Sequence, residues 1–71
     1  MTDSDFTVQS EGGAFLLTPE TLRAESWSAN HLGTLQRIGR AYLISSTTQF
    51  AHILNSIVEA GLIVEERRRV N

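Results

Sequence analysis

Between Ser45 and Ile57 the sequence offers Thr47, Thr48, Gln49, His52 and Asn55 and contains no carboxylate. On one helix, these side chains would suit the edges of base pairs. Gln and Asn can pair with adenine, and Thr presents both a hydroxyl and a methyl. Nothing acidic in that stretch would repel phosphate. Arg40 and the run Arg67-Arg68-Arg69 could contact a nucleic-acid backbone. Each feature also has a plainer reading. The Thr/Gln/His/Asn face suits any solvated helix, and His52 any surface histidine. The three arginines could neutralise Glu65, Glu66 and the acidic N-terminal third, as exposed pairs contributing about 0–1 kcal/mol each.

Other chemistry has little support. There is no cysteine, and His31 and His52 are far apart in sequence with no carboxylate at ligand spacing, so no metal site is expected. No Gly-x-Ser-x-Gly elbow occurs. Gly12-Gly13 lacks the Lys and the Ser/Thr of a phosphate loop. The expectation is a non-enzyme without cofactor or metal.

The elements that must position these residues can be read from periodicity. Phe6 and Val8 alternate with Thr7 and Gln9, Ser10-Glu11-Gly12-Gly13 reads as a turn, and Ala14–Leu17 as a returning strand or the start of a buried helix. Thr18-Pro19-Glu20 reads as a helix start, predicting a short helix from about 19 to 25. Trp27 reads as core. Leu32, Leu35, Ile38, Tyr42 and Leu43 predict a helix over about 29–42. Within it, Gly39 would let another helix approach. Ser46 and Gln49 have capping-box spacing, and Phe50, Ile53, Leu54, Ile57 and Val58 form one apolar stripe. Gly61 suits the end of that helix. Leu62–Val64 reads as a strand, with 65–71 its polar continuation.

From Leu35 to Arg69, about half the chain, the pattern resembles the winged helix-turn-helix domains of bacterial transcription regulators. The quoted features are Ile38-Gly39-Arg40-Ala41 on one helix, a capped helix after Ile44-Ser45, the ending Glu59-Ala60-Gly61-Leu62-Ile63, and then arginines. The resemblance implies a recognition helix over about 47–60 in the major groove. Thr47, Thr48, Gln49, His52 and Asn55 would read bases. Arg40, Arg67, Arg68 and Arg69 would hold the backbone, the last three from a C-terminal wing. It further implies a homodimer on duplex DNA, acting as a small transcription regulator.

Composition bounds these readings. The 71 residues, 41% of them hydrophobic, make one small domain over residues 1–71. A core of that size is marginal, so a partner subunit is a reasonable expectation. No apolar run approaches the ~18 residues of a membrane span, and the acidic start is unlike a signal peptide, which points to the cytoplasm. Six arginines and eight carboxylates give a net charge of −2. A nucleic-acid-binding domain is usually basic, although here the first 25 residues carry −4 and the remainder +2. The expected fold is α+β: a small winged-helix-like domain of three helices with an N-terminal β-hairpin and a C-terminal strand. The rival function is a small acidic protein-interaction module, an inhibitor or adaptor binding a larger host protein through the hairpin around Phe6 to Leu17.

Overall fold

The computed structural model describes residues 4–66. It has five strands and two helices in the order β1 (Phe6–Glu11), β2 (Ala14–Pro19), α1 (Leu22–His31), β3 (Arg37–Ile38), β4 (Ala41–Ile44), α2 (Thr47–Glu59) and β5 (Val64–Glu66). The strands form one mixed sheet in the order β3-β4-β2-β1-β5. β5 joins β1 in parallel, and the other pairings are antiparallel.

This corrects the expected architecture. Among the described residues there are two helices and five strands, not three helices with a hairpin and a strand, so the winged-helix arrangement is not what these residues build. The error lies between residues 29 and 44. No helix spans 29–42. α1 ends at His31, and β3 and β4 form a hairpin. Gly39 has φ +62°, a left-handed conformation that an α-helix interior excludes. The i, i+3 spacing of Leu32, Leu35 and Ile38 matches a helix by coincidence, whereas Ala41-Tyr42-Leu43-Ile44 is a strand whose side chains alternate between faces. Gly39→Ala separates the two conformations by sign. In a helix, alanine would stabilise by about 1 kcal/mol. In this turn it is expected to destabilise by about 1–2 kcal/mol, read from urea unfolding midpoints.

The first helix also shifts. Thr18 and Pro19 finish β2, and Thr21 is the N-cap, its hydroxyl accepting from Ala24 N at 3.2 Å. The capping rule was right and the threonine was the wrong one. The hairpin β1–β2 and the capped second helix lie where periodicity puts them. Ser46 Oγ accepts from Gln49 N at 3.3 Å.

One face of the sheet is covered. Phe6, Val8, Leu17, Tyr42 and Ile44 meet Ala24 and Leu32 of the α1 region and Ile53 and Ile57 of α2. Trp27 packs edge-on to Phe6, with ring centres 5.9 Å apart, and Phe15 stacks on Phe50 at 4.0 Å. Val58 is 66% exposed, so the apolar stripe of α2 is narrower than its sequence spacing suggested.

The start of β1 ties three elements together. Asp5 is 2% exposed. Its carboxylate accepts from Arg23 Nε (2.9 Å) and Nη2 (2.8 Å), Thr21 Oγ1 (2.8 Å) and Ile63 N (2.9 Å). Every buried side-chain N or O among the described residues has a hydrogen-bond partner.

Candidate functional site

Two surfaces carry chemistry. The first is the exposed side of α2. Thr47, Thr48, Gln49, His52 and Asn55 are all exposed, on a helix whose first turn holds no acid. The stretch therefore has the accessibility that base readout requires. Of the remaining predicted contacts, Arg40 lies elsewhere. Arg40 sits in the β3–β4 turn, where its Nη2 donates to Pro19 O at 3.1 Å. Arg67, Arg68 and Arg69 lie outside the described residues.

Thr48, Gln49 and His52 instead share a groove of about 450 Å³ with Trp27 and His31 of α1. Leu32 and Ile53, both buried, supply apolar wall. His31 stacks on Trp27 with ring centres 4.3 Å apart and 13° between planes. A 2.9 Å hydrogen bond links its Nδ1 to Trp27 O, and since the carbonyl accepts, Nδ1 carries the proton and Nε2 is the remaining ring nitrogen. The contribution of Trp27 and His31 was missed in the sequence. Their i, i+4 spacing places them on one helix face, but only once α1 is extended beyond residue 25. Among the described residues no group of three or more His, Asp or Glu is placed to hold a metal ion, and no helix is long and apolar enough to cross a membrane.

The second surface is the sheet face away from the helices. The register pairs Leu16 with Leu43 and Ile38 with Ala41. Because side chains alternate along a strand, these four lie opposite the buried Leu17, Tyr42 and Ile44. They make an apolar strip across β3, β4 and β2, in which Ile38 is 50% exposed, Leu16 and Leu43 are half-buried and Ala41 is buried. The half toward β1 and β5 is polar and acidic. Thr7 Oγ1 donates to Glu20 at 2.8 Å and Ser4 Oγ to Glu65 at 2.8 Å, while Gln9 Nε2 donates to Glu11 at 3.2 Å. A hydroxyl donor orients a carboxylate without neutralising it. Among the described residues, Arg23 pairs with Asp5, and Arg37 lies over the Tyr42 ring at 4.4 Å. The alternation of β1 signals this face in the sequence, whereas Ala41 and Tyr42 of β4 fall inside the helix expected over 29–42.

No protein-family model, no curated protein and no solved structure matches this chain.

Proposed function

We propose that the protein is a small interaction module that docks a partner protein on the open face of its sheet. The observation that carries this is the strip Ile38, Leu43 and Leu16, flanking the buried Ala41, on a face that neither helix of the described residues covers. An open antiparallel face normally alternates to polar side chains, and a contiguous apolar patch rimmed by polar groups is characteristic of a binding surface. The partner's chemistry follows from the other half of the face. Glu20 and Glu65 favour an element with apolar anchors on one side and Lys or Arg on the other. A second copy would bring the same carboxylates to the contact.

A second reading rests on one observation, the exposed Thr/Gln/His/Asn side of α2 with no acid in its first turn. It makes the protein a DNA-binding regulator, with duplex contacts through α2.

Paired capture with duplex titration distinguishes the two. The double variant Leu16→Glu/Leu43→Glu changes only side chains on the open face, and Gln49→Ala/Asn55→Ala changes only α2. The docking reading expects a protein retained by wild type and by the α2 variant, with binding to the sheet variant weakened more than about tenfold. It also expects no salt-sensitive retention of a random duplex pool between about 50 and 200 mM salt. Duplex binding lost in the α2 variant and kept in the sheet variant would replace it with the regulator. Self-association lost in the sheet variant would make the occupant a second copy.

A further inference from the structure

We propose that the groove between α1 and the first turns of α2 binds a small aromatic anion, of the class of aromatic carboxylates. Its volume, about 450 Å³, lies within the range of small-ligand sites. One wall is apolar and aromatic: Trp27, Leu32 and Ile53, with the His31 ring held flat on Trp27 by stacking and by its Nδ1 hydrogen bond. The other wall is polar without acid. Thr48, Gln49 and His52 supply hydroxyl, amide and imidazole groups, and no Asp or Glu lines the groove. In a chain with eight carboxylates and a net charge of −2, this recess bears two imidazoles and no carboxylate that would repel an anion. The positive end of the α2 dipole adds to the same field. A flat ring would lie along Trp27, Leu32 and Ile53, with its carboxylate toward Gln49 and His52. The groove is on the helix layer, across the sheet from Leu16 and Leu43, so the inference stands apart from the docking face.

The test is an NMR titration of the full ¹⁵N-labelled chain with 2-naphthoate, 2-naphthamide and inorganic phosphate. Saturable shifts at the Trp27 indole N–H and at the Gln49 and His52 amides are expected with 2-naphthoate. A hydrogen bond to a charged group contributes about 1.5–3 kcal/mol, or about tenfold or more, so naphthamide should bind at least about tenfold more weakly. His52→Ala and Gln49→Ala should each weaken naphthoate and leave naphthamide unchanged, with the rest of the spectrum as in wild type. Equal binding of naphthoate and naphthamide would overturn the anion assignment. Phosphate binding as tightly as naphthoate would overturn the aromatic one. Shifts elsewhere, or none, would overturn the site.

Discussion

Phe6→Ala is expected to destabilise the fold by about 3–5 kcal/mol. The side chain is fully buried, edge-on to Trp27, on the strand that pairs with both β2 and β5. Truncating a buried phenylalanine costs about 3–5 kcal/mol. A chain of 71 residues has a total stability of roughly 4–10 kcal/mol, so this one change removes from about a third of it to all of it. Ala24, in the same core cluster, is already small and cannot expand to fill the space. The measurement is urea unfolding followed by circular dichroism. A loss below about 1 kcal/mol would mean that the core is not centred on β1.

Asp5→Ala is the second large effect, expected at about 2–4 kcal/mol. The carboxylate holds the ends of three elements, and alanine would leave Ile63 N and Thr21 Oγ1 without their acceptor. The backbone reinforces the same junction: Asp5 N and Phe6 N donate to Ile63 O at 2.8 and 2.9 Å, and Glu20 N donates to Asp5 O at 2.7 Å. Arg23→Ala should cost less, because its side chain is 63% exposed and water can replace it.

The same group makes stability depend on pH. The Arg23 guanidinium hydrogen bond holds the Asp5 carboxyl well below the usual carboxylate range. Burial opposes this, and Ile63 N–H and the Thr21 hydroxyl assist it. A depressed folded-state value means the unfolded chain takes up the proton first. The contribution is therefore fully present above about pH 4, the ordinary aspartate value, and declines as pH falls below it. Asp5→Asn removes this dependence. The stability gap between wild type and Asp5→Asn should shrink from about pH 5 toward pH 2. A gap constant over that range would contradict the assigned role of the ionised carboxylate.

What the sequence disclosed depended on whether periodicity and turn chemistry agreed. They agreed for the first hairpin, where Phe6/Val8 alternation ends at Gly12-Gly13, and for α2, where Ser46 precedes a stripe built on Ile53 and Ile57. They conflicted at residues 29–44. There the apolar residues recur at helical spacing, while Gly39 and Ala41–Ile44 carry a turn and a strand. The structure resolves the conflict in favour of the turn, and with it the three-helix fold falls. Of the features behind the resemblance to regulators, the helix bearing Ile38-Gly39-Arg40-Ala41 is the one the structure replaces, with a β-hairpin. Thr48, Gln49 and His52 were singled out correctly as exposed on one helix. Their neighbours in the groove, Trp27 and His31, were not legible, because they come together only through the packing of α1 beside α2. The open sheet face was hidden for a related reason: the pairing of Leu16 with Leu43 joins residues that no local pattern connects.

The central claim is that the face bearing Leu16, Leu43, Ala41 and Ile38 is where a basic, apolar-anchored partner docks. Its most direct test is an NMR footprint of the ¹⁵N-labelled protein against a synthetic peptide of alternating Leu and Lys, with an alternating Leu and Glu peptide as the charge-reversed control. The account predicts saturable shifts at Leu16, Thr18, Leu43 and Thr7 with the lysine peptide and none with the glutamate peptide. Those shifts should be lost in Leu16→Glu/Leu43→Glu. Shifts confined to α1 and α2, or equal responses to both peptides, would contradict it.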